Sequence, residues 1–502
     1  MFYENNLEYK SIKYKTINIL KFNDFDSYND KSIMGFSSSP LTYNFDSSSG
    51  ALKDGIGVRK LRFKSYPDDV TFKDLDNWPT VYHPTACWLS NIFTTDFNVF
   101  RSLLVVQDSN GDIYYNLLHN DSTNFTKIDG LNFDTEPIVM TCKINNEDHV
   151  VFVAKNEGVY TWKYPYTIKK IDNVPPLRSV CVHNNRLYAI TYNDKRSVMF
   201  SDDIDITNFN LDMISGSRID MNDSFGACNK VVSFKGYLYI FRDFNIAKLI
   251  DYANRVDFEV SQLYVSNGRI FDKTVCVCGD NIIYLASDGI YSFNGTTSKR
   301  LNFKLDKLFE GVDNYNAVAG YSNGYYYLSC KLNYGDGNAV VDGEWSYGNN
   351  RNNVLIKLNV ETGEFVLFRG YDVVGIYVIN DVYRSEVCVL VREVGSVYRL
   401  GMLDNSGSYY NEPLTKVWQS PTTDCDCPNK LKLIKEISLE TNSDIELEIE
   451  TDKVKKVLCV KGKTESQTVK INLKCKKFNF KIVSKTTGNY ITGVQIVVGV
   501  LW

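Results

Sequence analysis

The residue types that most often carry out chemistry are few in this sequence, and their spacing matches no catalytic motif. None of the four histidines has a second histidine at the spacing that a metal site uses. The HExxH, Gly-x-Ser-x-Gly, Walker and Gly-x-Gly-x-x-Gly patterns do not occur. We therefore expect no catalytic, cofactor-binding or metal-binding residue and interpret each histidine as structural. The four are His83, His119, His149 and His183.

A short acidic run begins at Asp108 and resembles a calcium-binding loop. In Asp108-Ser-Asn-Gly-Asp112 the glycine falls at the fourth place, and the twelfth place is His119. A calcium loop needs glycine at the sixth place and a bidentate glutamate at the twelfth. The run is therefore interpreted as a hairpin turn.

Four of the 12 cysteines are candidate ligands of a zinc site. Cys425 and Cys427 are separated by one residue, whereas structural zinc sites usually space a ligand pair by two to four residues. The sequence leaves open whether this pair meets Cys459 and Cys475. Because nothing points to an oxidising compartment, the cysteines are read as reduced thiols, and no metal is predicted.

A third pattern, Ser201-Asp-Asp-Ile-Asp-Ile-Thr-Asn-Phe209, loosely resembles the Asp-box turn of sialidase-like propellers. The glycine of that box is absent, and the 16 arginines are widely spread, whereas such enzymes cluster arginines around a carboxylate. A glycosidase also needs paired carboxylates, which sequence alone does not locate. A propeller glycosidase is kept as an alternative, and the chain is predicted not to be an enzyme.

The composition indicates which elements carry these residues. The chain has 34 Tyr and 28 Phe but 11 Ala, which favours strands over helices. The net charge is −4. Residues 430–502 contain 14 Lys, no Arg and 8 acidic residues, a net charge of +6, so residues 1–429 carry −10. We interpret these lysines first as solvated strand faces rather than as a nucleic-acid patch.

A repeated pattern predicts the architecture of the middle of the chain. A short apolar strand, a polar turn and a strand containing tyrosine recur at intervals near 45 residues, which is typical of propeller blades. Glycine in the turn should supply a positive φ, and the tyrosine hydroxyl should reach water. Seven blades fit best, six or eight remain open, and two large β-sandwiches are the competing architecture. The four turns are Asn110-Gly-Asp-Ile-Tyr114, Asn156-Glu-Gly-Val-Tyr160, Ser287-Asp-Gly-Ile-Tyr291 and Val394-Gly-Ser-Val-Tyr398.

The two ends of the chain differ from this pattern. Residues 1–60 are polar and aperiodic, so they are predicted to be an extended arm over the outside of the main domain. Residues 61–414 are predicted to be the β-propeller. Residues 415–502 alternate polar and apolar side chains, which predicts an antiparallel β-sandwich, joined by a linker over residues 419–430. We expect neither a signal peptide nor a membrane-spanning helix.

The order of several motifs resembles that in propeller proteins of bacteriophage tails, over roughly residues 45–400. The similar segments are Gly50-Ala-Leu-Lys-Asp-Gly-Ile-Gly57, Arg196-Ser-Val-Met-Phe-Ser201, Val231-Val-Ser-Phe-Lys-Gly-Tyr-Leu-Tyr-Ile-Phe241, Ser287-Asp-Gly-Ile-Tyr-Ser-Phe-Asn-Gly295 and Gly320-Tyr-Ser-Asn-Gly-Tyr-Tyr-Tyr-Leu328.

This resemblance implies a virion structural protein of the tail nozzle, hub or head-to-tail kind. Its partners would be copies of itself in a ring and other tail or portal-side proteins, with DNA passing through the lumen without specific binding. It would be made in the host bacterial cytoplasm, would not insert into a membrane, and would have no cofactor. The alternative reading is a carbohydrate- or receptor-binding propeller.

One insertion is the predicted interface with neighbouring subunits. Residues 331–353 interrupt the repeat and mix aromatic side chains with Gly and Asn, a composition common in adaptable interfaces. The predicted contact residues are Tyr334, Trp345, Tyr347 and Arg351, and the arm is a second predicted contact. The alternative is an ordinary solvated insertion.

Overall fold

The structure is a computed structural model in which strands make up nearly all of the regular structure. Within the described part, the one α-helix is α1 (Asp306–Phe309), and a 3₁₀ turn covers Asp272–Thr274. The described residues are 12–23, 25–26, 34–64, 72–74, 86–94, 99–117, 125–172, 174–202, 205–209, 218–252, 257–301, 303–334, 351–380, 385–393 and 398–501.

The first strands of the chain are short. They are β1 (Lys13–Ile19), β2 (Leu41–Tyr43), β3 (Phe45–Asp46), β4 (Leu52–Asp54), β5 (Gly57–Lys60), β6 (Arg62–Lys64) and β7 (Phe72–Asp74). β6 and β7 pair with each other, and so do β3 and β4, whereas β1, β2, β4 and β5 pair with strands from the far end of the chain.

Six antiparallel sheets of four strands follow, and each lies in chain order. Sheet I is β8 (Ala86–Thr94), β9 (Val99–Gln107), β10 (Asp112–Leu117) and β11 (Thr126–Asn132). Sheet II is β12 (Ile138–Ile144), β13 (Glu147–Ala154), β14 (Gly158–Lys163) and β15 (Thr167–Ile171). Sheet III is β16 (Leu177–His183), β17 (Arg186–Thr191), β18 (Ser197–Phe200) and β19 (Arg218–Asp220).

The next three sheets repeat this arrangement. Sheet IV is β20 (Cys228–Phe234), β21 (Tyr237–Arg242), β22 (Asn245–Ile250) and β23 (Glu259–Val265). Sheet V is β24 (Cys276–Cys278), β25 (Asn281–Ala286), β26 (Gly289–Phe293) and β27 (Ser298–Arg300). Sheet VI is β28 (Val318–Ser322), β29 (Tyr325–Cys330), β30 (Val354–Asn359) and β31 (Phe365–Phe368).

Sheet VII is completed by a strand from the start of the chain. β5 pairs antiparallel with β34 in a register that runs from Gly57 opposite Asp404 to Lys60 opposite Gly401. Its later strands are β32 (Asp372–Asn380), β33 (Ser385–Arg392), β34 (Tyr398–Asp404), β35 (Ser408–Tyr409) and β36 (Glu412–Pro413).

These sheets form a closed circle. β8 contacts β12, β12 contacts β16, β16 contacts β20, β24 contacts β28, β28 contacts β32, and β32 contacts β8. Sheets IV and V share a hydrophobic cluster in which the ring centroids of Tyr239 and Phe293 are 5.2 Å apart. A circle of four-stranded antiparallel sheets is a β-propeller, so the predicted all-β propeller fold is confirmed.

The hairpin turns follow the predicted local chemistry. Gly111, Gly158 and Gly289 have φ values of +85°, +102° and +150°, a region that glycine enters without steric cost. Other turns use asparagine, such as Asn184 and Asn185 with φ values of +44° and +59°. The fourth predicted glycine turn, at residues 394–397, lies outside the described residues.

The four tyrosines that follow the predicted turns reach water only in part as expected. Tyr160 and Tyr398 are partly exposed, whereas Tyr114 and Tyr291 are buried. The Tyr291 hydroxyl donates to the Asp288 carboxylate at 2.6 Å.

Three tyrosines of the apolar blade strands, Tyr188, Tyr239 and Tyr284, are also buried. Their hydroxyls bond to the Asp251 carboxylate at 2.8 Å, to the Gly295 carbonyl at 3.1 Å and to Ser298 Oγ at 2.6 Å, respectively. The physical reason is that these rings pack between sheets, where a buried hydroxyl must find a protein partner.

Two further sheets form a second unit. Sheet VIII contains β3, β4, β43, β38 and β41 in spatial order, with β1 also paired to β43, and sheet IX contains β2, β37, β42, β39 and β40. Between them lies a hydrophobic cluster that includes Trp418, Ile434, Phe480 and Ile496. The new strands are β37 (Lys416–Gln419), β38 (Leu431–Thr441), β39 (Ile445–Thr451), β40 (Lys455–Val460), β41 (Lys463–Cys475), β42 (Phe478–Ser484) and β43 (Tyr490–Leu501).

The described residues among 1–60 therefore differ from the arm expected over the outside of the propeller. β1 and β4 pair with β43, β2 pairs with β37, and β5 pairs with β34. Ile19, Phe22, Phe45 and Leu52 are buried in the cluster between sheets VIII and IX. Burial of these scattered apolar side chains favours pairing with the second unit over a solvated path.

Candidate functional site

Two of the four predicted interface residues, Tyr334 and Arg351, lie at the stem of the insertion between β29 and β30. Tyr334 is described, and the Arg369 guanidinium lies over its ring at 3.9 Å and over the Tyr43 ring at 5.3 Å. Trp345 and Tyr347 lie outside the described residues. Arginine between two aromatic faces is a favourable cation–π arrangement, so Tyr334 joins the stem to β2 of the second unit.

The two arms of this stem are held together by an asparagine. The Asn353 side-chain amide donates to the Leu332 carbonyl at 2.8 Å, and its oxygen accepts from the Leu332 backbone N–H at 2.9 Å. The Asn333 backbone N–H donates to the Leu308 carbonyl at 2.7 Å. The Asn353 side chain thus gives the Leu332 backbone the two hydrogen bonds that a neighbouring strand would otherwise supply. It holds the two arms together at the base of the insertion.

Arg351 lies where the chain re-enters sheet VI, beside the buried carboxylate of Asp372. Asp372 accepts from the Arg392 Nε–H at 2.8 Å and from the Asn352 backbone N–H at 3.1 Å. Burial raises the pKa of Asp372, and the charges of Arg392 and Arg351 oppose that rise. The structure thus brings Tyr334 and Arg351 to one rigid stem.

The junction between the propeller and the second unit lies next to this stem and is built around Asn44. The Asn44 amide donates to the carbonyls of Arg369 at 2.9 Å and Thr415 at 2.8 Å. Its oxygen accepts from the Arg369 backbone N–H at 2.7 Å. Asn44 is buried and has a φ of +62°, a left-handed conformation that asparagine tolerates better than most residues.

A buried ion pair joins β4 of sheet VIII to β37 of sheet IX, within the second unit and close to the Gly407 turn of sheet VII. Lys416 Nζ lies 3.5 Å from Asp54 Oδ1 and donates to the Thr486 carbonyl at 2.7 Å. The Lys416 side chain is 0% exposed and the Asp54 side chain 9%. Burial lowers the pKa of Lys416, and the Asp54 carboxylate opposes that shift. Asp54 also accepts from the Asn489 amide at 2.6 Å, so it connects β4 to two parts of the second unit.

A serine, a histidine and an aspartate meet between sheets III and IV, which the sequence analysis did not predict. Ser233 Oγ lies 2.8 Å from His183 Nδ1, and Asp251 Oδ1 lies 3.2 Å from His183 Nε2. These are the residue types of a nucleophile, a base and an orienting acid. However, the His183 and Asp251 side chains are only 3% and 4% exposed, which excludes a substrate from the histidine in this conformation.

Further side chains of β16 bond to the backbone of β20, the first strand of sheet IV. Ser179, Cys181 and His183 alternate along β16 and therefore project to one side. Ser179 Oγ accepts from the Val231 backbone N–H, and Cys181 Sγ from that of Ser233, each at 3.2 Å. The alternating Ser-x-Cys-x-His pattern is the sequence signal for these contacts, but the residues that bond to it lie about 50 positions later in the chain.

Ion pairs connect sheets that are not neighbours in the circle. Arg178 in β16 lies 3.2 Å from Asp272, which precedes β24, and Lys273 lies 3.8 Å from Glu136, which precedes β12. Sheets II and III are thereby linked to sheet V across the centre of the propeller. Charged side chains therefore lie at the centre of the circle of sheets.

Of the four candidate zinc ligands, two lie in one hydrophobic cluster and a third lies apart from them. Cys425 and Cys475 are buried in the cluster between sheets VIII and IX, whereas Cys459 is exposed on β40. Among the described residues, no group of three or more His, Cys, Asp or Glu side chains is arranged to hold a metal ion. Asp108 instead accepts from the backbone N–H groups of Asn110 and Asp112, each at 2.9 Å, which is a hairpin turn.

A pair of carboxylates faces one arginine at the outer side of sheet V. Asp306 lies 3.0 Å from Arg300, and Asp288 accepts from the Tyr291 hydroxyl at 2.6 Å. Burial, opposed by the charge of Arg300 and assisted by that of Asp288, raises the pKa of Asp306 to about 6. Asp306 and Asp288 are thus one described pair of carboxylates of the kind that a glycosidase uses.

The raised pKa of Asp306 predicts a pH dependence of stability. The unfolded carboxyl titrates near 3.8, so its stabilising contribution is present below that pH and is lost as the pH rises through about 6. Asp306→Asn should flatten this slope in urea unfolding between pH 4 and 8. Asp280→Asn, at a 96% exposed side chain, should leave it unchanged, and an unchanged slope in Asp306→Asn would refute the assignment.

A cavity of about 540 Å³ lies at the end of sheet II. It is lined mainly by polar groups, among them Asn156, Glu157, Lys170 and Asp172, and none of its lining residues is aromatic. Glu157 already accepts from the Asp134 backbone N–H at 2.8 Å. The cavity therefore lacks the stacking surface that sugar binding favours.

No family model matches the chain, and no curated protein matches it. Solved structures give distant alignments to β-propeller proteins. The dihydro-heme d1 dehydrogenase NirN in complex with DHE aligns at 14% identity and a TM-score of 0.35, over 62% of this chain and 67% of that one. BBS1N in complex with ARL6DN aligns at 10% identity and a TM-score of 0.40, over 69% of this chain and 97% of that one. The N-terminal domain of Nup159 aligns at 9% identity and a TM-score of 0.37, over 76% of this chain and 99% of that one.

The described part of the chain contains no helix with the length and apolarity required for crossing a membrane.

Proposed function

We propose that this chain is a non-enzymatic structural component of a bacteriophage or prophage tail, of the nozzle, hub or head-to-tail kind. Copies of it would form a ring around the DNA conduit and contact other tail or portal-side proteins. In this proposal sheets I to VII are the blades of a seven-bladed propeller, and sheets VIII and IX form a β-sandwich. The protein would be made in the host bacterial cytoplasm and end in the virion tail.

The observation that carries this proposal is the coupling of the two units into one body. Asn44, near the start of the chain, is buried and bonds both to Arg369, just after β31 of the propeller, and to Thr415, just before β37 of the second unit. The insertion stem is held beside the same junction by Arg369. Such a body presents its loops at fixed positions, as a ring subunit requires, and the ordered motifs of the resemblance supply the link to phage tails.

The conduit in this proposal is the hole at the centre of the ring of copies. The propeller's own channel is crossed by the Arg178–Asp272 and Lys273–Glu136 pairs. The net charge of −10 on residues 1–429 suits a wall that must not retain DNA, because adhesion would come from neutralised phosphates. Tight binding of duplex DNA by the assembled ring at physiological salt would contradict this role.

Native mass spectrometry of the full chain over a range of concentrations tests the proposal. We expect a discrete closed oligomer, alone or after addition of a neighbouring tail protein. A symmetric ring needs the same heterologous contact in every copy, so one stoichiometry should dominate. A chain that stays monomeric under all of these conditions would contradict the proposal.

A carbohydrate-binding propeller is the second candidate, favoured by one exposed aromatic pair. Tyr237 at the start of β21 and Tyr252 just beyond β22 are 36% and 48% exposed. They belong to adjacent strands whose register places Leu238 opposite Leu249, so both tyrosines lie at the same end of sheet IV. Glycan-array binding by a monomer, lost in Tyr237→Ala, would favour this function over the ring.

A further inference from the structure

The second unit ends in a group of exposed lysines, which we call the lysine tip. Its members are Lys453, in the turn between β39 and β40, and Lys474, Lys476 and Lys477, around the turn between β41 and β42. The two turns are bonded to each other, since Asp452 accepts from the Lys476 backbone N–H at 2.8 Å. The lysine tip is therefore a fixed feature of the unit.

The lysine tip lies at the end of the unit that is remote from the propeller. β42 begins at Phe478, next to the tip, and ends at Ser484, which pairs with Lys416 where the chain enters the unit. Seven residues of strand separate the two ends by roughly 20 Å. The tip therefore faces outward from the junction built around Asn44.

Several lysines elsewhere in the unit are paired with carboxylates. Lys455 and Lys481 lie 2.9 Å and 3.5 Å from Glu448, and Lys461 lies 2.6 Å from Asp444. Within the described part of the chain, by contrast, the four lysines of the tip form no ion pair with a carboxylate. The tip therefore contributes four exposed positive charges to the net charge of +6 on residues 430–502.

We propose that the lysine tip docks against the acidic surface of residues 1–429 of a second copy, an inference that rests on the proposed ring. Residues 430–502 carry a net charge of +6 and residues 1–429 a net charge of −10. A head-to-tail contact therefore brings opposite charges together, whereas a contact between the same part of two copies brings like charges together. A contact between two different surfaces of identical chains is heterologous, and it closes into a ring when the rotation allows.

The chemistry of the tip favours an acidic protein surface over a polyphosphate. Residues 430–502 contain no arginine, and arginine is the residue suited to forked phosphate contacts. Asp452 lies within the tip, and Asp426, whose side chain is 97% exposed, lies near it on the segment before β38. Lysine ammonium groups pair with single carboxylates without that geometric demand, and the exposed Val454 beside them adds apolar contact.

Cross-linking between differently labelled copies tests the contact directly. Unlabelled and ¹⁵N-labelled full chains are mixed and treated with a zero-length carbodiimide reagent, which joins lysines to carboxylates in direct contact. We expect amide links from Lys474, Lys476 or Lys477 to Asp or Glu residues of 1–429 in mixed-label pairs. Links from these lysines only within one copy would overturn the proposal.

A matched pair of variants tests its energetic contribution. Lys474→Gln, Lys476→Gln and Lys477→Gln together should weaken self-association about tenfold at low salt, the combined loss of three exposed ion pairs. The control changes three other exposed lysines, Lys435, Lys463 and Lys485, to Gln and should assemble like the wild type. Both are followed by sedimentation velocity, with far-UV circular dichroism to establish folding.

The outcomes separate this docking from the proposed function. If the wild type assembles and the tip variant assembles equally well, the docking is refuted and the ring stands. If the wild type never assembles, both are refuted. If the tip binds duplex DNA or vesicles of anionic lipid at physiological salt and forms no mixed-label links, the partner is a polyanion and the docking on a second copy is refuted.

Discussion

Replacing Asp54 with alanine is expected to lower the free energy of unfolding by about 3–5 kcal/mol, because it leaves the buried Lys416 ammonium without its carboxylate. Lys416 is 0% exposed and would retain carbonyl partners only, including Thr486 at 2.7 Å. The Asn489 amide would also lose its partner at 2.6 Å. Urea unfolding followed by tryptophan fluorescence measures the loss.

Two further variants separate charge from packing at this site. The double variant Asp54→Ala with Lys416→Met removes both charges. Most of the lost stability should return, because replacing a buried ion pair by apolar residues often leaves the stability unchanged. Asp54→Asn keeps the shape but not the charge, and its loss should lie between those of the wild type and the alanine variant. An alanine variant as stable as the wild type would show that the pair does not stabilise the second unit.

Replacing Asn44 with alanine is the second change with a large expected effect. The three side-chain hydrogen bonds of Asn44, to the Arg369 N–H and to the carbonyls of Arg369 and Thr415, are lost. Alanine must also adopt the φ of +62°, which costs about 1–2 kcal/mol. We expect a total loss of about 3–5 kcal/mol and, in calorimetry, separate transitions for the propeller and the second unit.

The controls for Asn44 separate the backbone effect from the hydrogen bonds. Asn44→Gly should recover about 1 kcal/mol relative to alanine, because glycine adopts positive φ freely. Asn411→Ala, at an exposed asparagine with a φ of +76°, should show only the backbone cost. Equal losses in Asn44→Ala and Asn411→Ala would mean that the buried hydrogen bonds do not couple the two units.

The propeller was predictable because its signals are local. The turns at Gly111, Gly158 and Gly289 link neighbouring strands, so a few residues specify both the turn and the pairing on either side. Each such hairpin repeats the same pattern, which makes the period visible without knowledge of the circle. The blade strands were found for the same reason, since their apolar character is set by burial within one sheet.

The pairing of the first strands was not predictable because nothing local specifies it. β1 has exposed residues at most of its positions, so its sequence reads as polar, and its partner lies at the opposite end of the chain. Asn44 likewise appears as one asparagine among many until Arg369 and Thr415 are brought beside it. The same limit hid the network of His183, in which Ser233 follows 50 residues later.

The pairing of β1 with β43 also has a consequence for synthesis on the ribosome. Ile19 pairs with Val494. At about 5–20 residues translated per second, β43 is made roughly 25–100 s after β1. Sheet VII likewise receives β5 only after β34 has been made. β1, β2 and β5 therefore form their sheet pairs only after sheets I to VI have been translated. β43 completes sheet VIII after β38 and β41 have been made.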